Sequence, residues 1–370
     1  MVPFLLIFLF VYGGLNTYLY FTIAAGLGQS LGLVGGLLVL FVLSPILLRI
    51  SEGKVPVWIS SLIALVAYSW MGVSFLFASF ALLLDIAQLI FRGISESDAL
   101  FVVAILTSVS SVYAFYEFRN PRVRMLRVTS PKFEYNPEKP FRIVQVSDIH
   151  LGFGSSYSHI RKIVRTVDAL KPDLLVSTGD LFDSNLTELT KFAALFRALN
   201  PPKGKIAVTG NHEVYAGLKE ALELTEAAGF KVLRSAAFQV DPTLFIMGVD
   251  DPEVLQGHTT EKAEMEALRA VPLNAFKILL KHRPHISPAV ADSYDLQLSG
   301  HTHGGQIFPF IFLTRLQYQA RHGLSRVSDK AYLYLSRGTG AWGPQLRFFA
   351  PPEITVFELA KGRDYSIVVI

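Results

Sequence analysis

Cysteine is absent from the 370-residue chain. Disulfide bonds and metal sites built from thiolates are therefore excluded. Any metal ion must be held by histidine, aspartate, glutamate or asparagine side chains. The absence of cysteine also fits a reducing compartment, without defining one.

Charged side chains are scarce in the first third of the chain. Only eight of the 34 basic and 30 acidic residues lie before residue 119, and none lies before Arg49. A helix needs ~20 apolar residues to cross the hydrocarbon core of a bilayer, so residues 1–48 are long enough for two spans. A glycine-rich patch, Gly26, Gly28 and Ser30, predicts the turn between them.

Two further charge-free stretches, 57–84 and 99–116, predict a third and a fourth span. We therefore expect a multi-span transmembrane region over residues 1–118, with three or five spans as the alternatives to four. These lengths fit membrane spans better than buried helices of a soluble protein. A cleaved signal peptide is not expected, because no basic segment precedes the first apolar run.

Basic residues near the span ends predict the orientation. Arg49 and Lys54 separate spans two and three, four arginines follow span four, and the loop between spans three and four is mainly acidic. Four spans then place both termini and the rest of the chain in the cytoplasm, at the cell membrane. The net charge of +4 does not predict nucleic acid binding. We expect the arginine cluster to contact headgroups of the phospholipid bilayer. Its members are Arg119, Arg122, Arg124 and Arg127.

After residue 140, short apolar runs alternate with amphipathic stretches. Strands are predicted at 142–147, 173–177, 205–209, 276–280 and 295–299, and helices at 158–170, 186–199 and 218–228. This alternation predicts a layered α/β domain over residues 141–370. Residues 119–140, with several prolines, predict a linker or an edge element.

Each of the five predicted strands runs directly into polar side chains that bind metals. In α/β sheets, sites assemble at the carboxyl ends of strands. Side chains two residues apart on extended backbone point the same way, which pairs Asp148 with His150 and His301 with His303. Glycines before three of the candidates permit tight turns. The candidate ligands are Asp148, His150, Asp180, Asn211, His282, His301 and His303.

Seven candidate ligands are more than one ion needs. Oxygen and imidazole donors suit Mn²⁺, Fe or Zn²⁺. Two ions ~3.5–4 Å apart are the arrangement that stabilises both the attacking and the leaving oxygen in phosphoryl transfer. Each motif alone is also explained by a turn or a helix cap, with Asn211 as an example of an N-cap. Five such motifs after five strands favour a metal centre.

These motifs resemble the ordered signature of the calcineurin-like metallophosphoesterases. The segments are Asp148-Ile-His150, Gly179-Asp180, Gly210-Asn211-His212-Glu213, Lys281-His282-Arg-Pro and Gly300-His301-Thr-His303. The segments 300–306 and 336–354 also resemble a membrane-associated branch of the YaeI and YkuE type, and the chlamydial-type UDP-2,3-diacylglucosamine hydrolase. The resemblance implies a four-layer α/β/β/α sandwich after the transmembrane region.

The resemblance also implies roles for the site residues. One metal would be held by Asp148, His150, Asp180 and His303, and the second by Asp180, Asn211, His282 and His301, with Asp180 bridging. His212 would protonate the leaving oxygen or stabilise the transition state, and a water activated by the metals would attack phosphorus. Asp183 and Glu213 are expected to orient ligands or to cap backbone rather than bind metal.

Substrate contacts are predicted from two features. The segment 307–313 is apolar and follows the last ligand motif, which suits acyl chains or the bilayer surface, with a buried strand or core loop as the alternative. Arg283 and Arg347 are candidates for binding a substrate phosphate through paired hydrogen bonds, with surface charge as the alternative.

Three functions follow. The favoured one is two-metal hydrolysis, with Mn²⁺ preferred, of a phosphodiester or pyrophosphate bond at the membrane surface. UDP-2,3-diacylglucosamine or another lipid-linked molecule would be the substrate. The second is a membrane-tethered phosphatase or phosphodiesterase acting on proteins or nucleotides. The third is a non-catalytic sensor or scaffold with a structural metal site, although His212 has no purpose there.

Overall fold

The computed structural model describes residues 2–29, 32–51, 54–91, 93–183, 189–255 and 257–370. The chain divides into two compact units. The first comprises residues 1–118 and 343–349, and the second comprises residues 119–342 and 350–370.

The first unit contains four helices, α1 (Val2–Leu27), α2 (Gly32–Ser51), α3 (Val57–Ile90) and α4 (Glu96–Arg119). All four are long and apolar enough to cross a membrane. The four predicted spans are thus confirmed as helices of suitable length and composition. Helix α1 is followed by Gly28 in the left-handed region, at φ 64°, a conformation that glycine adopts without steric cost. Ser30 of the predicted turn lies outside the described residues.

Hydrogen bonds join α1 to α3, and a stacked ring pair joins α3 to α2. The Trp70 indole N–H donates to Asn16 Oδ1 at 2.8 Å, and the Trp70 ring stacks on Phe41 at 4.6 Å. A buried amide with partners costs little in an apolar bundle and fixes the helices relative to each other. The Tyr18 hydroxyl donates to the carboxylate of Asp85.

A short segment from the C-terminal part of the sequence belongs to the first unit. A Cβ added at Gly72 would lie 2.6 Å from Leu346 Cδ1, and the Phe348 ring packs edge-on against Phe80 at 6.2 Å. The Arg347 backbone N–H donates to the Ala114 carbonyl at 2.9 Å. The predicted domain of residues 141–370 was wrong at this segment, because these contacts are made with helices far away in sequence.

The second unit is built on two β-sheets. The first has the strand order β13-β1-β12-β2-β3-β4-β5, and the second has the order β10-β11-β9-β8-β7-β6. The strands are β1 (Arg122–Ser130), β2 (Phe141–Val146), β3 (Leu174–Ser177), β4 (Lys205–Ala207), β5 (Lys231–Val232), β6 (Ala236–Asp241), β7 (Leu244–Val249), β8 (Phe276–Lys281), β9 (Leu296–Ser299), β10 (Gly323–Arg326), β11 (Tyr332–Leu335), β12 (Glu353–Lys361) and β13 (Ser366–Val369). The helices are α5 (Tyr157–Ala169), α6 (Thr190–Arg197), α7 (Asn211–Ala227), α8 (Pro252–Leu255), α9 (Thr260–Leu268) and α10 (Ile311–Gln317).

The sheets face each other across an apolar core, and helices cover their outer faces. Buried side chains from both sheets form one cluster, including Ile143, Val176, Ile278 and Leu298. A second cluster joins the first sheet to α5, α6 and α7. A third joins the second sheet to α9. The predicted four-layer α/β/β/α sandwich is confirmed.

The elements before the candidate ligands match the sequence pattern. The five predicted strands correspond to β2, β3, β4, β8 and β9, and the helix predicted at 158–170 is α5. The helix predicted at 186–199 corresponds to α6, and its first residues, 186–188, lie outside the described residues. Helix α7 begins at Asn211, earlier than predicted, and Gly217 interrupts its helical geometry at φ 111°.

The prediction of a linker at residues 119–140 was wrong for residues 122–130. Strand β1 pairs with β12 on one side and β13 on the other, and Leu126 and Val128 are buried. Three arginines in this strand interrupt the apolar pattern by which a buried strand is recognised in a sequence. Arg127 tolerates its place in the sheet because it pairs with Glu358 of β12 at 2.6 Å.

Candidate metal centre

The carboxyl ends of the five ligand-bearing strands bring the predicted ligands together. Strands β2, β3 and β4 are parallel neighbours in one sheet, and β8 and β9 are parallel neighbours in the other. The backbone N–H of His301 donates to Asp148 Oδ1 at 2.8 Å, which joins the two sheets. Gly300 permits this approach, since a Cβ there would lie 2.2 Å from Asp148 Oδ2.

Five of the ligands adopt positive φ, an uncommon conformation for any residue except glycine. Their φ angles are 51° for Asp148, 52° for His150, 51° for Asp180, 74° for His301 and 51° for His303. Such backbone costs ~1–3 kcal/mol at each position and persists where the surrounding structure imposes it, most often at functional sites. The backbone conformation at these five residues sets the direction of the candidate ligand side chains.

The first group of ligands consists of Asp148, His150 and His303. One ligand atom from each lies within 4.8 Å of the others. The Nε2 atoms of His150 and His303 face each other at 3.0 Å, and His303 Nε2 lies 3.5 Å from Asp148 Oδ1. Asp180 Oδ2 approaches His150 Nε2 to 3.6 Å.

The second group consists of Asp180, His282 and His301. Asp180 Oδ2 lies 3.1 Å from His282 Nε2, and His301 Nδ1 lies 3.1 Å from the same nitrogen. The Asn211 amide oxygen is buried without a hydrogen-bond partner. Asp180 contacts members of both groups, which is the geometry of a bridging carboxylate.

These residues fit a pair of divalent ions. Facing imidazole nitrogens beside carboxylates, together with a buried amide oxygen that lacks a donor, leave electron pairs for cations to accept. An unsatisfied buried oxygen is costly unless a ligand satisfies it. The donor set is nitrogen and oxygen throughout, the set preferred by Mn²⁺, Fe and Zn²⁺.

Burial and neighbouring charges shift the ionisation of the ligands. Burial raises the pKa of Asp148 to about 6 and lowers the pKa of His150 to about 4. Burial also lowers the pKa of His282, but the Asp180 carboxylate outweighs it and raises that pKa to about 10. Without metal, a proton at His282 would balance the charge of Asp180. Metal ions would supply this balance in its place, so their binding releases protons.

His212 lies beside the two groups and is held by Asp183. Its Nδ1 is 2.5 Å from Asp183 Oδ1, and its backbone N–H donates to Asp180 Oδ1 at 2.9 Å. Burial lowers the pKa of His212, but the carboxylates of Asp180 and Asp183 outweigh it and raise that pKa to about 9. His150, Asp183 and His212 form a third group, in which one potential ligand atom of each residue lies within 4.8 Å of the others. The hydrogen bond between His212 and Asp183 lies within this group.

Glu213 organises the backbone around the bridging ligand. Its carboxylate accepts hydrogen bonds from the backbone N–H groups of Asp180, Leu181, Phe182 and Gly210, at 2.7–3.2 Å. The four bonds fix the loop after β3 against the start of α7. The expected roles of Asp183 and Glu213, orienting ligands or capping backbone, stay predictions.

The chain is similar in sequence to known proteins. The sequence model of the calcineurin-like phosphoesterases matches residues 141–305. An uncharacterized metallophosphoesterase of Aquifex aeolicus is 35% identical over 267 residues, which cover 71% of this chain and 99% of that protein. The chain belongs to the calcineurin-like metallophosphoesterase family. It is therefore a metal-dependent phosphoesterase, as predicted, and the family depends on two metals.

Two further relatives resemble this metallophosphoesterase. A Danio rerio protein, "Transmembrane protein with metallophosphoesterase domain", is 32% identical over 338 residues, covering 83% of this chain and 75% of that protein. The uncharacterized metallophosphoesterase YkuE of Bacillus subtilis is 35% identical over 232 residues, covering 59% of this chain and 79% of YkuE. The predicted likeness to the YkuE type is thus confirmed.

Sequence reasoning missed several neighbours of the metallophosphoesterase site. The Ser147 hydroxyl donates to the Asp148 carboxylate and accepts from Thr178 Oγ1 at 2.7 Å. Both are polar residues at the ends of buried strands, a signal that the sequence offered. Tyr215 and Trp342, whose rings contact His212, gave no such signal because neither belongs to a ligand motif.

The two predicted substrate arginines have other surroundings. Arg283 forms a paired contact with Asp251 at 2.9 and 3.0 Å and reaches Glu253 at 3.2 Å. Arg347 belongs to the first unit, and its side chain is buried. Their roles in substrate binding stay predictions.

Proposed function

We propose that this metallophosphoesterase hydrolyses a phosphodiester or pyrophosphate bond in a lipid-linked substrate at the membrane surface. The observation that carries the proposal is the apolar helix α10 beside the metal centre. His303 lies in a 3₁₀ turn, His303–Gly305, and a Cβ added at Gly305 would lie 2.4 Å from Ile311 N of α10.

Helix α10 exposes apolar side chains next to this turn. Leu316 is 84% exposed, Leu313 56% and Phe312 55%. Residues 307–310 form a turn in which Ile307 is buried, whereas Phe312 and Leu313 of the helix are exposed. Exposure of apolar side chains to water costs free energy, and this free energy is regained when the side chains contact acyl chains. Their place beside a ligand-bearing turn supports a substrate with an apolar tail.

The residues of the chain have separate tasks in this reaction. The two groups of ligands would hold two divalent ions, and Mn²⁺ is the proposed metal. When bound, such ions lower the pKa of a water nucleophile and offset the charge on phosphoryl oxygens. His212 would give a proton to the leaving oxygen from Nε2, because its Nδ1 faces Asp183. General acid catalysis of this kind contributes ~10²–10⁴-fold.

The membrane part of the proposal has separate support. Four helices that could cross a membrane belong to the same chain. The catalytic unit is covalently linked to these helices and is therefore held at any bilayer that they enter. Basic residues near the span ends support a cytoplasmic location for that unit. A tethered enzyme acts with advantage on a substrate that is confined to the same surface.

The test is Mn²⁺-dependent release of UMP from UDP-2,3-diacylglucosamine by full-length protein in detergent. Asp180→Asn is the matched inactive variant, and bis-p-nitrophenyl phosphate is the generic diester. We expect hydrolysis of both substrates and loss of both with Asp180→Asn. Hydrolysis of the generic diester alone would remove this lipid substrate from the proposal. Metal binding without hydrolysis of either substrate would favour a sensor.

The role of α10 has its own variant. Leu313→Ser with Leu316→Ser is expected to raise KM for the lipid substrate about tenfold, equivalent to ~1.4 kcal/mol, and to leave the generic diester unchanged. Leu273→Ser is the control, since Leu273 is 93% exposed and lies before β8, away from α10 in sequence. Equal effects on both substrates would mean that α10 supports the fold rather than the lipid.

A further inference from the structure

Two aromatic side chains flank His212. The Tyr215 ring lies 5.3 Å from the His212 ring at 69°, and the Trp342 ring lies 5.9 Å from it at 64°. Tyr215 comes from α7, whereas Trp342 comes from the loop after β11. Tyr215 is 52% exposed and Trp342 is 49% exposed. Each therefore presents about half of its surface to a ligand or to solvent.

Trp342 is fixed relative to the ligand-bearing turn. The Gln306 side-chain N–H donates to the Trp342 carbonyl at 2.8 Å, and the Trp342 backbone N–H donates to Gln306 Oε1 at 2.9 Å. Gln306 directly follows the 3₁₀ turn that carries His303. This reciprocal pair holds the Trp342 backbone, so the position of the indole depends on the metal-binding turn.

The loop that leads to Trp342 is also anchored beside the metal centre. The Thr339 N–H donates to the Ser147 carbonyl at 2.7 Å, and the Gly340 N–H donates to the Asp148 carbonyl at 3.0 Å. A Cβ added at Gly340 would lie 2.1 Å from the Ile149 carbonyl oxygen. The backbone before Trp342 thus runs against the strand end that supplies Asp148.

We propose that Tyr215 and Trp342 form a subsite for a flat aromatic ring on the leaving-group side of the substrate. This inference rests on the proposed function in one respect, that His212 protonates the leaving oxygen. Because Nδ1 of His212 faces Asp183, the leaving oxygen meets Nε2, and the atoms attached to that oxygen lie beside the His212 ring. Both flanking rings are uncharged, so they select a flat apolar group over an anionic one.

The expected strength follows from stacking. Stacking of a base on an aromatic side chain contributes ~1–3 kcal/mol, and an aromatic pair contributes ~0.5–1.5 kcal/mol beyond burial. An aromatic leaving group such as a nucleoside or a phenol should therefore gain about 5- to 140-fold in kcat/KM over an aliphatic one of equal acidity, the fold-change that ~1–3 kcal/mol represents.

The first test compares two methyl phosphodiesters. One has a phenyl leaving group, and the other has a fluoroalkyl leaving group of matched pKa. In Mn²⁺-loaded full-length protein, Trp342→Leu and Tyr215→Leu are each expected to lower kcat/KM for the phenyl diester about five- to tenfold. The fluoroalkyl diester should be unaffected, and Trp342→Phe should retain most of the preference. Equal loss on both diesters, or no loss on either, would overturn the inference.

The control for these variants is Tyr157→Leu. Tyr157 is an exposed aromatic residue, at 47%, and lies in α5 rather than beside His212. This variant should leave the hydrolysis of both diesters unchanged, because Tyr157 is not part of the proposed subsite. It is a matched control because it removes an aromatic ring of similar exposure. A fall in the phenyl preference with Tyr157→Leu would overturn the assignment to Tyr215 and Trp342.

The second test does not need turnover. Phenylphosphonate and methylphosphonate are titrated into Mn²⁺-loaded protein, and the fluorescence of Trp342 is taken as the difference between the wild type and Trp342→Phe. We expect quenching and at least fivefold tighter binding with phenylphosphonate. Equal affinities or no quenching would overturn the subsite. Selective binding in a protein that hydrolyses no diester would sustain the subsite and refute the proposed function.

Discussion

At the scale of single residues, the hydrogen bond between Asp183 and His212 occupies Nδ1 and leaves Nε2 for the proposed transfer of a proton to the leaving oxygen. Asp183→Asn removes the negative charge and permits the opposite tautomer. We expect kcat for bis-p-nitrophenyl phosphate to fall about 100-fold, the usual size of a general acid contribution. Metal binding should be retained, because Asp183 belongs to neither of the two groups proposed to hold the ions. Steady-state kinetics and the metal content by elemental analysis measure the two effects.

Asp180→Asn is the comparison for this variant, since it removes the carboxylate expected to bridge the two ions and should lose metal together with activity. Loss of one metal in Asp183→Asn would contradict the assignment. It would mean that the convergence of His150, Asp183 and His212 holds an ion, and that Asp183 is a ligand rather than a partner of His212.

The candidate ligands could be picked out from the sequence because each follows a strand within one to four residues. Asp148 and His150, for example, are placed by β2 and by their own backbone conformation. Such local placement can be recognised in the sequence, because the strand and the residues that follow it are adjacent in the chain. Trp342 reaches His212 through hydrogen bonds between segments far apart in the chain, and a single sequence records no such contact.

At the scale of secondary structure elements, Glu358 connects three strands of the first sheet. Its carboxylate, with a side chain only 4% exposed, lies on β12 and pairs with Arg127 of β1 at 2.6 Å and with Arg142 of β2 at 3.0 Å. Burial raises the pKa of Glu358, but the hydrogen bonds and charges of the two arginines outweigh it and hold that pKa below its usual value. The ionised carboxylate therefore stabilises the folded state.

Glu358→Gln is expected to lower the free energy of unfolding by about 2 kcal/mol at pH 7, the scale of hydrogen bonds to charged groups. The unfolding temperature should fall by about 4–8 °C. A carboxyl group with a depressed pKa contributes stability above its unfolded pKa, and this contribution is lost as the pH falls through its folded pKa. The difference between variant and wild type should therefore shrink with acidification below about pH 4.

Scanning calorimetry of metal-free full-length protein in detergent, at pH 7 and pH 3.5, measures this difference. Glu134→Gln is the control, because its pair with Lys361 is exposed on both sides and surface pairs contribute about 0–1 kcal/mol. An equal loss of stability at both pH values would show that Glu358 acts through packing rather than through its charge.

Two elements, β1 and α10, could not be recognised from the sequence, each for its own physical reason. Strand β1 contains three arginines among its nine residues, and the neutralising Glu358 lies 231 residues away from Arg127. Helix α10 has only seven residues, too few for a clear period. The pattern of a single segment can show neither a partner that is distant in sequence nor a helix of two turns.

At the scale of the whole molecule, the sequence predicted an apolar helical region before a globular one, and the structure has four helices long and apolar enough to cross a membrane. The boundary was less predictable. Residues 343–349 belong to the helical unit through contacts such as that between Leu346 and Gly72. Their partners lie more than 200 positions earlier in the chain. Charge content therefore located the helices but not the segment that returns to them.

The orientation of these helices gives the last prediction. Because the chain contains no cysteine, single cysteines can be introduced without removing native ones. Gln29→Cys reports the connection between α1 and α2, Ser97→Cys reports the start of α4, and Lys219→Cys reports α7 of the catalytic unit. All three positions are exposed. In intact bacterial cells, an impermeant maleimide should label Gln29→Cys and Ser97→Cys but should reach Lys219→Cys only after permeabilisation.

This pattern follows from the basic residues that flank the spans, because cytoplasmic loops carry the excess of lysine and arginine. Labelling of Lys219→Cys alone in intact cells would reverse the orientation and place the metal centre outside the cytoplasm. Labelling of Gln29→Cys and Lys219→Cys together, with Ser97→Cys protected, would require an odd number of spans between Gln29 and Ser97, where the present arrangement has two, α2 and α3. In either case a cytoplasmic nucleotide-linked lipid would be out of reach of the metals, so the topology experiment also tests which substrates the enzyme can meet.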